Sequence, residues 1–245
     1  ELFAGQIAPV VTGATRRWDA STTGPQIPAP QALIAAHGND VARLRLPQTW
    51  RFGPDTASLL APLYPSLPFT SARPPRNLTI GSQPIPEYRA TPVPATGGTA
   101  DPRVILTATQ TVRDLIATAT VNTPEESRPL TPADVAVIAP HVEQAALAAA
   151  GLADLPDVFV GTINQAQGLQ REAVVAIHPL LGHHVDESFA LDLGRLCVAL
   201  SRHRAHVTVI IDERSGDLLS DAIREHPEAR TLNVHAQLLD RLTAA

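Results

Sequence analysis

The sequence predicts an α/β fold in which a parallel sheet carries helices on both faces, preceded by a proline-rich, irregular N-terminal region. Two observations support this prediction. In the second half of the chain, short and nearly continuous apolar runs alternate with segments of helical spacing, and such runs are typical of strands buried on both faces. Most of the 23 prolines lie in the first half, and dense proline excludes regular helices and central strands.

The proline-rich first half is predicted to contain little regular structure. Residues 1–100 are expected to be mostly irregular, with short helices near 29–37 and 54–63. The segment 71–102 is expected to run along the surface as a loop, because its prolines lack the amide proton that a central strand donates.

The second half is predicted to alternate strands and helices. Helical spacing places Val112, Leu115, Ile116 and Ala119 on one face of a helix over 109–119. Buried strands are predicted at 134–139, 158–162, 173–178 and 207–212. Further helices are predicted at 141–151, 190–202, 216–225 and 233–243. Ligands of such sheets bind at the carboxyl ends of the strands, so we expect the site residues to gather there.

Composition excludes several classes of function. The net charge of −5 and a sequence pI near 6.0 argue against a strongly basic nucleic-acid coat. No apolar run approaches the roughly 20 residues of a membrane span, and no signal peptide is recognised, so a soluble cytoplasmic protein is expected. The lone cysteine, Cys197, can form neither an internal disulfide nor a multi-thiolate metal site, and it is expected to be a small buried hydrophobe.

The residue types also carry two further indications. All 19 basic residues are arginine, a bias that a GC-rich coding sequence would favour. The chain contains no methionine, which we interpret as the mark of a fragment or a processed form. No metal site is predicted, because the histidines and acids within 183–187 are adjacent in a turn, where side chains rarely converge on one ion.

Two polar segments carry the candidate chemistry. The first, TINQAQGLQRE at 162–172, follows a predicted strand, and it can bind phosphate, ribose or a nucleic-acid backbone or be an ordinary loop. The second, GRLCVALSRHR at 194–204, is a predicted helix with arginines near both ends. These arginines can complement the helix dipole or form an anion clamp, because the guanidinium matches phosphate geometry.

In chain order, four segments resemble the signature motifs of superfamily 1 helicases. VGTINQAQG at 160–168 resembles motif V, and GRLCVALSRHR at 194–204 resembles motif VI. GQIAPVV at 5–11 resembles the end of motif III. LPQTWRFGP at 46–54, followed by Tyr64, is similar to motif IV.

The resemblance implies two regions: 1–45, the end of motif III with a connector from a first RecA-like domain, and 46–245, the second RecA-like domain. It does not extend to the first domain, since a P-loop requires lysine and the chain has none. Two positions depart from the motifs. Ala4 stands where motif III has an acidic residue, and Glu172 lies four residues after Gly168, where motif V has its glutamate two residues after the glycine.

The resemblance also implies roles in ATP hydrolysis. ATP and Mg²⁺ would be held mainly by the first RecA-like domain, while the second supplies positive charge to the γ-phosphate. Arg202 would be the arginine finger, Arg51 the arginine of motif IV, and Gln6 the γ-phosphate sensor of motif III. The guanidinium of Arg202 is expected to project from its helix toward the cleft rather than into the core.

Further residues are implied in nucleotide and nucleic-acid binding. The implied nucleotide-binding residues are Glu172, Gly168, Gln167 and Arg204. The implied contacts to a single strand are Thr162, Asn164 and Gln165. Glu172 would hold the ribose, and Arg204 is either a second clamp or a solvated salt-bridge partner.

Together these expectations describe the C-terminal motor domain of an ATP-dependent helicase, inactive as an ATPase by itself. The implied partners are single-stranded nucleic acid, with DNA favoured over RNA, and the first RecA-like domain of the same protein; no membrane partner is expected. The alternative is a non-catalytic nucleotide- or nucleic-acid-binding module that retains the fold. Trp50 is expected to pack in the core rather than stack on a base, and Trp18 is either a nucleic-acid contact or part of a solvated turn.

Overall fold

A computed structural model describes residues 47–95, 98, 100–181 and 190–244. The chain divides into two units, Glu1–Leu46 and Pro47–Ala245, and the described residues belong to the second. The predicted helix near 29–37, Gln6, Trp18 and the acids and histidines at 183–187 lie outside the described residues.

The described residues contain eleven strands, six α-helices and two short 3₁₀-helices. The strands are β1 (Gln48–Thr49), β2 (Thr70–Ser71), β3 (Asn77–Ile80), β4 (Gln83–Pro84), β5 (Tyr88–Val93), β6 (Ala119–Asn122), β7 (Ser127–Pro129), β8 (Val135–Ala139), β9 (Phe159–Thr162), β10 (Arg171–Ile177) and β11 (His203–Asp212). The helices are α1 (Pro54–Leu60), α2 (Pro102–Thr118), α3 (Val142–Gly151), α4 (Leu193–Leu200), α5 (Ser215–Glu225) and α6 (Arg230–Thr243), with 3₁₀-helices at Ala61–Leu63 and Pro132–Asp134. None of these helices is long and apolar enough to cross a membrane.

A five-stranded sheet in the order β5-β11-β10-β8-β9 forms the centre, and all neighbouring strands in it are parallel. Every residue of β8 is buried, as are all residues of β10 after Arg171, because helices cover both faces. The strands and helices predicted for the second half are all present. Apart from the start of α2, their ends agree with the prediction to within four residues.

Helices α2 and α3 cover one face of the sheet, and α4 and α6 lie against the other. The hydrophobic core on the first face is formed by α2, α3 and alternate residues of β8 and β10. Its members include Val104, Ala108, Val112, Leu115, Val135, Val137, Ala145, Ala148, Val175 and Ile177. Helix α4 contacts β10 and β11, and α6 contacts β5 and α1. This layered α/β unit is consistent with a RecA-like fold, so the predicted fold class is confirmed.

The prediction that 71–102 is a surface loop is wrong. The segment contains β3, β4 and β5, and β5 pairs along its whole length with residues 207–212 of β11 as an edge strand of the central sheet. Strands β3 and β4 belong to an antiparallel sheet in the order β4-β3-β6-β7. Pro92 is tolerated in β5 because an edge strand needs ladder hydrogen bonds on one side only.

Helix α2 begins seven residues before its predicted start. The side chain of Asp101 accepts a hydrogen bond from the backbone nitrogen of Arg103 (2.9 Å), and Pro102 is the first helical residue. Both features favour a helix start. The apolar run at 103–107 therefore forms the first turns of α2.

Candidate functional site

The residues singled out in the sequence lie at two opposite edges of the central sheet. Thr162 ends β9 and pairs with Ala139, the last residue of β8, at the carboxyl edge. Arg171 begins β10 and pairs with His203, the first residue of β11, at the amino edge. The expectation that site residues gather at the carboxyl edge is wrong for the arginines of the motif VI segment, because helix α4 has returned the chain to the amino edge before they occur.

Arg202 is buried at the junction of α4 and β11, with only 3% of its surface exposed. Its Nη2 donates to Ser201 Oγ (2.8 Å), whereas Nε has no hydrogen-bond partner. No carboxylate of the described residues pairs with it. Burial and, next, the charge of Arg51 lower its pKa to about 10, so the group stays protonated at neutral pH. The expectation that its guanidinium projects away from the core is therefore wrong.

Arg51 lies close enough to Arg202 for the two charges to repel each other. Its guanidinium carbon is 5.4 Å from the centroid of the Phe52 ring, and its Nε is buried without a hydrogen-bond partner. The prediction that Trp50 packs in the core is wrong, since 69% of its surface is exposed. Phe52 takes the buried position and packs edge-on against Phe69, with centroids 6.1 Å apart.

Tyr64 and Cys197 connect the motif IV segment to helix α4. The Tyr64 hydroxyl oxygen lies 3.5 Å from Cys197 Sγ, and the tyrosine ring packs edge-on against Phe69 at 4.9 Å. Burial raises the pKa of both the Tyr64 hydroxyl and the Cys197 thiol, so both are neutral at physiological pH. The prediction that Cys197 is buried is confirmed.

A cavity of about 240 Å³ opens beside Arg51. Its polar and aromatic walls include Trp50, Arg51, Arg73, Arg76, Gln170 and Arg204. The cavity is lined by four arginines and the carboxylate of Glu125. Glu87 pairs with Arg73, and Glu172 pairs with Arg76 and Arg204, so three carboxylates offset the four guanidinium groups. One positive charge remains in excess, which suits an anion. Arg73 and Arg76 are not among the predicted site residues, because they lie in the segment interpreted as a loop. The pattern RPPR at 73–76 was the available signal.

Glu172 does not line this cavity. Its carboxylate is 5% exposed, with Oε1 paired to Arg76 and 3.6 Å from Arg204 Nη1, while Oε2 is buried without a hydrogen-bond partner. Gln170 does line the cavity, and its Oε1 accepts a hydrogen bond from Arg204 Nε (3.2 Å). Gln170 is also the residue two positions after Gly168, where motif V has its glutamate.

At the carboxyl edge, Thr162 and Gln165 bind each other. The backbone nitrogen and the hydroxyl of Thr162 both donate to Gln165 Oε1, at 2.8 and 3.1 Å. Asn164 is exposed between them, and Gln167 is exposed further along the turn. Gly168 has a φ of +80°, in the left-handed region that favours glycine. The turn therefore presents polar side chains from a fixed backbone.

Comparison with known proteins gives one partial likeness and no family assignment. No protein-family profile matches the chain. Over 105 residues, which cover 40% of this chain, it is 32% identical to the DNA-binding protein SMUBP-2 of Mesocricetus auratus. The matched stretch covers only 11% of that protein.

Proposed function

We propose that the chain is the second RecA-like motor domain of an ATP-dependent nucleic-acid helicase. The observation that carries the proposal is the Arg51–Arg202 pair, two neighbouring guanidinium groups with no carboxylate partner among the described residues. Burial and like charge both penalise such a pair. A polyphosphate would supply the negative charge that the domain itself does not provide.

The two arginines fit the chemistry of phosphoryl transfer. That reaction requires positioning and stabilisation of charge on the equatorial oxygens of the γ-phosphate. A guanidinium is permanently charged and binds two oxygens at once, and the Nε groups of Arg51 and Arg202 are buried without a hydrogen-bond partner among the described residues. Following the motif resemblance, we assign Mg²⁺ and most ATP contacts to the first RecA-like domain.

The carboxyl-edge turn is the proposed contact to single-stranded nucleic acid. Asn164 and Gln165 are exposed there, and neutral polar side chains can bind a phosphate backbone. The matched relative is a DNA-binding protein, which supports DNA over RNA as the ligand. Because the chain has a net charge of −5, few phosphates can be neutralised and binding by this domain alone would be weak.

One observation favours the alternative of a non-catalytic binding module. Gln170 stands where motif V has a carboxylate, and Glu172 is occupied by Arg76. A domain that no longer hydrolyses nucleotide would tolerate a glutamine at the position of the motif V glutamate. Turnover by the protein that carries both RecA-like domains therefore discriminates between the two functions.

The chain alone should hydrolyse no ATP, and the protein that carries both RecA-like domains should hydrolyse ATP faster when single-stranded DNA is added. Phosphate release measured with and without a single-stranded oligonucleotide tests both statements. Binding of the chain alone to that oligonucleotide should weaken between 50 and 200 mM salt by a factor of roughly 10 for every two or so phosphates that its arginines neutralise. Turnover by the chain alone, or no turnover by the two-domain protein, would contradict the motor function.

Gln170 and Glu172 should respond differently to substitution. Gln170→Ala removes one neutral hydrogen-bonding group from the cavity and should raise the KM for ATP by roughly 2- to 10-fold, equivalent to about 0.5–1.5 kcal/mol, with an unchanged melting temperature. Glu172→Gln breaks a buried ion pair and should instead destabilise the fold by about 1–3 kcal/mol. ATPase kinetics and thermal melts of both variants make the comparison. A KM effect confined to Glu172→Gln would return the ribose role to Glu172.

A further inference from the structure

Four buried polar side chains form a continuous network, here called the Glu87 network: Arg73, Glu87, Thr56 and His203. Arg73 Nη2 donates to Glu87 Oε1 (3.0 Å), and the backbone nitrogen and hydroxyl of Thr56 both donate to Glu87 Oε2 (2.9 Å each). The same hydroxyl lies 2.8 Å from His203 Nε2. Thr56 and His203 are fully buried, and the side chains of Arg73 and Glu87 are only 7% and 12% exposed.

The hydrogen bonds of this network determine which ring nitrogen of His203 carries the proton. A threonine hydroxyl has a single proton, and the one on Thr56 is donated to the Glu87 carboxylate. His203 Nε2 must therefore donate to the Thr56 oxygen. Burial lowers the pKa of His203 well below its usual range, so its Nδ1 carries no proton and the ring is held as one neutral tautomer.

The network connects the two segments that carry the proposed finger arginines. Thr56 lies in the first turn of α1, which follows Arg51, and His203 directly follows Arg202. Glu87 immediately precedes β5, and its carbonyl accepts a hydrogen bond from the backbone nitrogen of Val207 in β11 (2.8 Å). Glu87 is thus fixed to the central sheet by its backbone, and its carboxylate accepts hydrogen bonds from Thr56 at the start of α1.

The absence of side chain at Gly53 makes room for the network. A Cβ at this position would overlap Glu87 Oε1 and Arg73 Nη2. Both atoms are the ends of flexible side chains, so a methyl group would displace the carboxylate and leave the backbone in place. Gly53 therefore offers a way to disturb the network without changing any ionisable group.

We infer that Glu87 is a positioning residue that holds the repelling pair Arg51 and Arg202 in register, acting through Thr56 and His203. No carboxylate among the described residues pairs with either guanidinium. The segments that carry the two arginines therefore have to resist their mutual repulsion. The network does this by joining α1 to β11 across 147 residues of sequence. The role of Arg51 and Arg202 toward the γ-phosphate rests on the proposed function, whereas their positioning by Glu87 is independent of it.

Two substitutions test the inference by different routes. Glu87→Gln must turn an amide NH₂ toward either Arg73 or Thr56, because both carboxylate oxygens accept hydrogen bonds. Gly53→Ala displaces the carboxylate by steric contact. Glu126→Gln is the matched control, since Glu126 is 59% exposed and pairs with Arg128, a residue of the small antiparallel sheet.

The first measurement uses the 245-residue chain and does not depend on ATP. Nitrogen-15 NMR can follow the His203 ring and the Nε–H groups of Arg51 and Arg202. In the wild type the His203 ring should be a single tautomer protonated at Nε2. Both network variants should shift these signals, and Glu126→Gln should not. Unshifted signals in Glu87→Gln and Gly53→Ala would overturn the inference.

The second measurement uses the protein that carries both RecA-like domains. Misplacing a catalytic group by about 1 Å can reduce turnover roughly 10²-fold, so we expect the kcat of both variants to fall by about that factor while the KM for ATP changes less than about threefold. Shifted NMR signals with unchanged kcat would overturn the positioning role. Shifted signals together with a wild type that does not hydrolyse ATP would support the positioning and reject only the proposed motor function.

Discussion

Replacing Arg202 with alanine should slow ATP hydrolysis by about 10³- to 10⁵-fold in the protein that carries both RecA-like domains, the range associated with arginine fingers. The guanidinium is charged at neutral pH and its Nε has no hydrogen-bond partner among the described residues, so a phosphate in contact with it would satisfy that charge. Arg202→Lys should rescue little, because an ammonium lacks the planar fork that binds two oxygens. Single-turnover hydrolysis, with ATP binding measured separately, gives the comparison.

The same substitution should leave the domain folded. Removal of the Arg202 side chain relieves the repulsion from Arg51, which offsets part of the cost of losing the hydrogen bond to Ser201 Oγ and the buried packing of the aliphatic stem. If Arg202 only complemented the dipole of α4, the variant would lose about 0.3–1 kcal/mol of stability and keep its turnover. Arg113→Ala is the control, since Arg113 lies on α2 and pairs with Asp154 (2.6 Å). Normal hydrolysis by Arg202→Ala with a lowered melting temperature would reject the finger.

Acidification from pH 7.5 to pH 5.5 should remove about 5 kcal/mol from the free energy of unfolding, a large share of the roughly 5–15 kcal/mol typical of a domain. Burial lowers the pKa of four histidines, His178 to about 3, His206 and His235 to about 4, and His203 well below its usual range. Between these values and the unfolded pKa of about 6.5, the unfolded chain binds protons that the folded chain does not. Stability is therefore full above about pH 6.5 and falls as the pH decreases. Urea unfolding followed by circular dichroism at the two pH values measures the loss.

A single substitution should remove about one quarter of this dependence. His178 Nδ1 accepts a hydrogen bond from the backbone nitrogen of Leu180 (3.2 Å), and its Nε2 has no partner. His178→Asn keeps an acceptor at that place and cannot titrate, so the loss between the two pH values should shrink by about 1.4 kcal/mol. His226→Asn, at an exposed position after α5, should leave the loss unchanged. An equal effect of both variants would show that burial of His178 is not the cause.

The fold class could be predicted because its signals are local. The run VAVIA of β8 and the apolar part of β10 are buried from end to end, and a strand of that kind can be recognised from a few consecutive side chains. Helix α3, rich in alanine, and helix α6, with leucines at helical spacing, were recognised in the same way. The motif resemblance directed attention to Arg51 and Arg202, whose roles remain predictions.

What the sequence determined by itself is therefore the α/β class, the order of strands and helices after residue 134, and the segments with candidate chemistry. Only the tertiary structure decided that the proline-bearing segment of β5 is a strand, because its partner β11 lies more than 100 residues away along the chain and supplies hydrogen bonds on one side only. Only the tertiary structure placed Gln170 rather than Glu172 in the cavity. It also buried Arg202 beside Arg51 and built the Glu87 network around them. Contacts between buried charges depend on which distant segments meet, and no local pattern of side chains records that.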